Sequence, residues 1–383
     1  MKNNKLVFYW SPHIDNVATV KAAYNSALAL NKYSNSGFKA KIIDVFGEWK
    51  NSRYFEIKNE IFLKLNYISF LHKFSSKGFI KSRIKYFIIF CFNFFNLKNL
   101  IEKEKPDYLI IHLVTSLPLI LNLIFNFNTK LILRISGKPK LNFFRYLLWK
   151  ICLKKVFKVT CPTIETFELL KKMKLIDEEK LKVLYDPILN LKDINSQKKN
   201  HEVFNFENKK FFLAIGRLTK QKNFEFLIKC FEKILIKEKD LLLIIIGTGE
   251  DEDKLKNFIK KKKLQNNIFL IGYKNNVFKY FEKCEAFILS SLWEDPGFVI
   301  IEAMFSNCFV LSSDCPSGPK EIIGKNNGIL FKNNSIKDFL SKYGHFKNLS
   351  NSEKKKIIIN SKKSLKKFTL IGHYNSIVDI LKK

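Results

Sequence analysis

Glu294 and Glu302 stand eight positions apart in SLWEDPGFVIIEAMFSN, residues 291–307, with a Pro-Gly break and an apolar run between them. Pro296 and Gly297 read as the end of a loop, and Phe298 reads as the start of a helix. Glu294 then sits in the loop and Glu302 more than one turn inside the helix. The backbone N–H groups of Gly297, Phe298 and Val299 point at whatever lies between the two acids. A helix N-terminus attracts anions, and a carboxylate accepts paired hydrogen bonds from vicinal hydroxyls. The ligand chemistry that fits is a nucleotide diphosphate joined to a sugar.

A second pair is cationic. The apolar run FFLAI ends in Gly216, followed by Arg217 and, five positions on, Lys222. Ligands of open parallel sheets bind at the carboxyl ends of strands, where this loop would lie. Two cations there can clamp a leaving diphosphate and favour the charge that grows on it as a bond breaks. The alternative is a surface Arg and Lys in a Lys-rich chain. Gly247, Thr248 and Gly249 follow the run LLLIII, where glycine lets the backbone approach a ligand, or merely turns. Gly272 and Tyr273 follow another apolar run, and Tyr273 is either a base-stacking ring or a plain strand-end residue. In the first half, His112 ends the run YLIIH at the carboxyl end of an expected strand, where a satisfied core histidine is the plain reading. His13, Asp15 and Asn16 occupy the first strand-to-helix loop. Arg134, Ser136, Gly137 and Lys138 are read as a loop able to meet a phosphate on an acceptor. Lys320 and Glu321 begin a helix, where capping accounts for them.

The elements that must position these residues alternate. In the first half, strands are expected at 6–10, 40–46, 108–112, 130–136 and 158–163, with KVLYDPI (182–188) closing it. Helices are expected at 18–31 and 165–173, a basic amphipathic helix at Leu141–Phe157, and irregular helix over 55–103 with a break at Gly78. Residues 189–209 are polar, carry no period, and read as a linker. The second half alternates more cleanly, with strands at 211–215, 241–246, 268–271, 286–290 and 308–312. Helices are expected between them at 223–234, 250–262, 277–283 and 298–306, and the last stretch reads as polar helix. Repeated strand–helix units imply α/β architecture with parallel sheets covered on both faces. The 383 residues suffice for two domains of ordinary size.

Composition narrows the partners. The net charge is +33, yet Arg occurs only five times, and no nucleic-acid motif is present, so nucleic acid is disfavoured. Ile61–Lys98 carries seven basic residues and no acid, and Tyr108–Ile164 carries nine and no acid, interleaved with Phe, Ile, Leu and Trp. That pattern fits an anionic membrane surface, and it also fits a coding bias toward Lys; both accounts stay open. The seven cysteines include no C-x-x-C pair and argue for a reducing cytosol without a disulfide framework or zinc site. No signal peptide is visible. Tyr108–Thr129 and Tyr86–Leu97 are apolar, but neither is read as crossing a membrane.

The segment 291–307 resembles the E-x7-E motif of the retaining GT-B glycosyltransferases, most closely the glycosyltransferase 4 family. FFLAIGRLTKQKNFEFLIKCFEKI, LLLIIIGTGEDEDKLKNFI, IFLIGY, AFILSS and SGPKEII match that family's order and spacing, strongly over 156–331 and more loosely before it. The resemblance implies GT-B architecture: two Rossmann-like domains facing a cleft, over 1–188 and 210–367, with a last helix (368–383) crossing back to the first. It implies Arg217 and Lys222 on the diphosphate, Glu294 on donor-sugar hydroxyls, Glu302 on the ribose and His112 near the sugar. Gly216, Gly249, Gly272, Tyr273, Gly297, Phe298 and Val299 would complete the donor site. His13, Asn16, Arg134, Ser136 and Gly137 would lie on the acceptor side. Asp295 and Pro296 stand where the family usually has Gly and Phe, and the first loop lacks the family's paired glycines. The resemblance further implies retention of configuration, no metal and no cofactor, and a nucleotide-sugar donor such as a UDP-sugar. The acceptor would be a polyprenyl-linked or other surface glycan, as in polysaccharide or lipopolysaccharide synthesis, at the cytoplasmic face of a membrane. Another GT-B enzyme (an epimerase or a phosphorylase) and a non-enzymatic polyanion binder are the alternatives.

Overall fold

The computed structural model describes residues 4–13, 18–35, 37–50, 54, 59–66, 79–137, 139, 141–198, 206 and 209–382. Asn16, Lys138 and the break at Gly78 lie outside them. The chain divides into two compact units, Met1–Ile188 with Leu370–Lys383, and Leu189–Thr369.

The first unit is built on a seven-stranded sheet in the order β3-β2-β1-β4-β5-β6-β7. The strands are β1 (Lys5–Trp10), β2 (Phe38–Asp44), β3 (Phe62–Lys64), β4 (Tyr108–Ile111), β5 (Lys130–Arg134), β6 (Lys158–Cys161) and β7 (Leu181–Val183), and every pairing is parallel. Both faces are covered, which is why β1 and β4 are apolar runs rather than alternating patterns. Phe8 and Trp10 point into one core, under helices α2 (Phe79–Glu104), α3 (Ser116–Ile124) and α4 (Phe143–Cys152). Val7 and Tyr9 point into the other, under α1 (Ala18–Tyr33) and the last helix of the chain, Leu370–Lys382. That last helix is tied down by His373, which bonds Ser26 Oγ and the Tyr185 carbonyl at 2.7 Å each.

Two expectations are corrected here. The helix expected over Leu141–Phe157 is Phe143–Cys152, capped by the Asn142 side chain, and then tightens into a 3-10 turn, Leu153–Lys155. The stretch read as irregular helix contains the short strand β3, half-exposed and paired with β2, too short and too polar for a pattern. The apolar segment at Tyr86–Leu97 belongs to a longer helix, α2, of which Arg83–Glu104 is long and apolar enough by composition alone to cross a membrane.

The second unit holds a six-stranded parallel sheet in the order β10-β9-β8-β11-β12-β13. Its strands are β8 (Phe211–Ile215), β9 (Leu242–Ile246), β10 (Ile268–Leu270), β11 (Ala286–Leu289), β12 (Val310–Ser313) and β13 (Ile329–Phe331). Between β8 and β9, the helix Phe224–Leu235 turns Leu227, Ile228, Phe231 and Ile234 onto the core. This i, i+1, i+4, i+7 stripe was visible as helical periodicity. Of residues 189–209, read as a linker, the structure describes 189–198, 206 and 209. Leu191–Lys198 forms a helix with only Ile194 buried, so its sequence has little apolar period. Tertiary bonds hold it: the Asn276 side-chain amide donates to the Gln197 carbonyl at 2.7 Å, and Lys198 pairs with Glu282 at 2.7 Å.

Candidate functional site

In the second unit, β8 lies between β9 and β11. Chain order reverses there, and ligands of open parallel sheets bind outside the carboxyl ends of the strands at such a switch point. The loop after β8 carries Gly216, Arg217 and Lys222; the loop after β11 carries Ser290–Gly297 and leads into the helix Phe298–Phe305. The two loops are stitched together. Leu292 N–H donates to the Gln221 carbonyl at 2.8 Å, the Gln221 side chain donates to the Trp293 carbonyl at 3.0 Å, and Ser290 Oγ donates to the Lys222 carbonyl at 2.8 Å.

At the centre, Lys222 Nζ meets Glu294 Oε1 at 2.5 Å, with both side chains largely excluded from solvent. Ser291 Oγ donates to the same Oε1. Ser291 is held in turn by the end of β12, because Ser313 Oγ donates to its carbonyl at 2.7 Å. The backbone of Glu294 is pinned by its N–H to the Pro316 carbonyl at 3.0 Å. Removing a carboxylate from water is costly, and the ammonium and hydroxyl offset that cost here. Sequence reasoning placed Lys222 on a phosphate and Glu294 on a sugar; it missed that they touch, and it missed Ser291 and Ser313. The available signal was the repeated Leu-Ser-Ser ending of β11 and β12.

Glycine makes two of these approaches feasible. A side chain on Gly216 would begin 3.0 Å from the Lys222 Cδ and Cε, so the bare backbone lets the lysine stem cross to Glu294. Gly297 has φ +89°, in the left-handed region, and turns the chain into the helix directly over Glu294. The first N–H groups of that helix, at Phe298 and Val299, have no intrahelical acceptor by geometry, and both residues are half-buried. Glu302 lies one turn further on and is half-buried.

Arg217 is exposed beside this pair. The Gly247–Gly249 loop after β9 packs on its loop: Leu218 N–H donates to the Thr248 carbonyl at 2.9 Å. A Cβ on Gly249 would lie 2.3 Å from the Leu218 carbonyl oxygen. A close approach that demands glycine at 249 is therefore to this chain's own backbone. Gly272 accepts the Gly247 N–H at 2.9 Å, and the Tyr273 ring is 66% exposed, open to stacking.

In the first unit, β1 lies between β2 and β4, which again makes a switch point at the ends of β1 and β4. His13 and His112 sit at those ends, both buried. His13 meets Trp49 edge-on, with ring centroids 4.7 Å apart. His112 lies beside Tyr9 and above Arg134; burial, and then the charge of Arg134, push its pKa down to about 3. It is a neutral imidazole at physiological pH. Arg134 is corrected. It is 3% exposed and its guanidinium pairs with buried Asp186 at 2.5 Å, so it faces an internal carboxylate and not an acceptor phosphate. Ser136 and Gly137 are half-buried in the loop beyond it. Among the described residues there is no cluster of three metal-ligating side chains.

Residues 196–364 match the model of the family described as glycosyl transferases group 1. The chain is 33% identical over 248 residues to an uncharacterized glycosyltransferase of Methanocaldococcus jannaschii, covering 60% of this chain and 61% of that one. It is 38% identical over 115 residues to the N-acetylgalactosamine-N,N'-diacetylbacillosaminyl-diphospho-undecaprenol 4-alpha-N-acetylgalactosaminyltransferase of Campylobacter jejuni, covering 30% of this chain and 31% of that one. These matches span less than two thirds of either relative's length. In fold, the chain is similar to a glycosyltransferase from Rickettsia africae (TM-score 0.74, 19% identity, 99% of this chain and 98% of that one). It is also similar to HepE of Anabaena, solved with UDP and glucose (TM-score 0.72, 14% identity, 99% of this chain and 100% of that one). The architecture is thus GT-B, with two Rossmann-like units.

Proposed function

We propose, since residues 196–364 match the group 1 glycosyl transferases, that this protein is an enzyme that moves a sugar from a nucleotide-diphosphate donor to a lipid-linked or polymeric glycan acceptor. The observation that carries the proposal is the Lys222–Glu294 pair at the switch point between β8 and β11.

The donor's diphosphate lies over the carboxyl ends of these strands, near the N–H groups of Phe298 and Val299. When the anomeric C–O bond breaks, its electron pair goes to the diphosphate oxygen. Lys222 and Arg217 stabilise that charge more than the charge already present in the bound donor, which lowers the barrier. Because these cations do the work that a divalent ion would otherwise do, the reaction needs no metal. Glu294, fixed by Lys222 and Ser291, accepts hydrogen bonds from the sugar's hydroxyls. Glu302 accepts them from the ribose, and Tyr273 stacks on the base. Retention of anomeric configuration follows the resemblance of the E-x7-E segment. A UDP-sugar is the favoured donor, since HepE, similar in fold, was solved with UDP. The C. jejuni relative, whose name specifies a diphospho-undecaprenol acceptor, supports a lipid-linked acceptor.

The test is a thermal-shift screen of UDP-, GDP- and ADP-sugars against the wild type and Glu302→Gln. A ligand that binds only the native state raises the melting temperature by mass action. One donor should stabilise the wild type and lose most of that effect in the variant. No stabilisation by any nucleotide or nucleotide sugar would overturn the reading.

A further inference from the structure

Helix α2 carries two apolar stripes. One, Ile89, Leu97 and Ile101 with buried Asn93, packs into the core of the first unit. The other, Ile84, Phe87, Phe92 and Phe95, faces solvent, with Phe87 68% and Phe95 67% exposed. A helix on a water-facing surface needs only the first stripe. Helix α4 repeats the anomaly: Phe143 is 72% and Phe144 79% exposed, followed by exposed Leu147 and Ile151. Helix α3 packs against both α2 and α4, so the three share one side of the sheet. Single exposed apolar residues are ordinary, but a clustered set marks an interaction face.

The charges on this face select the partner. Arg83 on α2 and Arg145 on α4 are both exposed, on the same two helices as the exposed phenylalanines. Guanidinium groups beside exposed phenylalanines match the phosphates of lipid headgroups above their acyl chains. Exposed Lys150 and Lys154 extend the basic rim. Lys155 does not, because its ammonium bonds Asn126 at 2.8 Å and the Leu123 carbonyl at 3.2 Å. A second copy of this chain is a poor occupant, since a two-fold contact would set the same cations against each other.

We infer that the exposed face of α2 and α4 docks on an anionic bilayer, with both helices lying in the interface plane. Spanning is disfavoured: lifting α2 into the bilayer would strip Ile89, Leu97 and Ile101 from the core they fill. This inference is independent of the sugar-transfer reading.

The experiment is co-sedimentation of the full chain with phosphatidylcholine vesicles, with and without phosphatidylserine, comparing wild type with Phe143→Ser/Phe144→Ser and with Arg83→Gln/Arg145→Gln. Circular dichroism and nucleotide-induced thermal shifts would confirm that the variants fold. Wild type should bind serine-containing vesicles, release at high salt, and bind neutral vesicles weakly. Each double variant should bind at least about tenfold more weakly, as about 1 kcal/mol per basic residue implies for the arginine pair. Equal binding to neutral vesicles, or wild-type binding by both variants, would overturn the proposal. So would retention in the pellet after alkaline carbonate extraction, which would mean a spanning helix. So would a wild-type dimer that the variants dissolve, in protein that ignores vesicles.

Discussion

Lys222 and Glu294, 72 positions apart in sequence, meet at 2.5 Å, and each is the other's charge partner in a region largely closed to water. An ion pair of this kind does two things. It holds the carboxylate in one orientation, and it fixes the ammonium at the carboxyl end of β8, where the proposed reaction puts the diphosphate.

Removing one partner should therefore cost more than removing both. Lys222→Met strands a buried carboxylate and should destabilise by about 3–5 kcal/mol, while Lys222→Met with Glu294→Gln should cost clearly less than the two single changes summed. Turnover should fall by about two to three orders of magnitude in every one of these variants. Urea unfolding of the four proteins checks the coupling; additive losses would mean that the pair is not energetically linked.

The two acids should separate in binding. Glu302→Gln is expected to weaken UDP itself by about tenfold or more, the value of a hydrogen bond to a charged group. Glu294→Gln should leave free UDP nearly unaffected and weaken the sugar nucleotide. Titration calorimetry with both ligands distinguishes them, and wild-type UDP affinity in Glu302→Gln would remove the ribose role.

Gly249 should matter without any ligand. The Cβ of Gly249→Ala would lie 2.3 Å from the Leu218 carbonyl oxygen, so the loops after β8 and β9 must part. The ligand-free variant should melt lower than wild type, by an amount comparable to other backbone clashes, about 1–3 kcal/mol. An unchanged ligand-free melting point, with only donor binding lost, would restore Gly249 to the ligand.

The first unit should lose stability in acid. Burial holds His112 at about 3 and His373 at about 4, both below the ordinary 6.5. The unfolded chain takes up protons first as pH falls below 6.5, so the contribution is complete above that pH and is lost as pH falls through 4 and 3. The slope is about 1.4 kcal/mol per pH unit for each histidine. Arg134 opposes protonation of both. Asp186, whose pKa burial raises despite Arg134, acts with the opposite sign and offsets part of the loss at low pH. His373→Gln should make stability between pH 7.5 and 5 less steep by about 2 kcal/mol. An unchanged slope would mean that His373 is not the group responsible.

The local grammar of this chain determined most of the second unit. Apolar runs such as Phe211–Ile215 and Leu242–Ile246, each followed by a glycine turn and a helical stripe, specify strand and helix through contacts a few residues apart, as does the Gly297 turn into Phe298–Phe305. The tertiary structure alone decided which ends became neighbours. Parallel strands are joined by long crossovers, so nothing local records that β8 lies beside β11, and hence that Lys222 reaches Glu294. The same holds for Arg134, whose partner Asp186 lies 52 positions away, and for the helix Leu191–Lys198, whose few apolar residues would not hold it without Asn276 and Glu282. It holds again for α2, where two stripes of similar composition met different fates: core packing against the sheet took one and left the other to solvent.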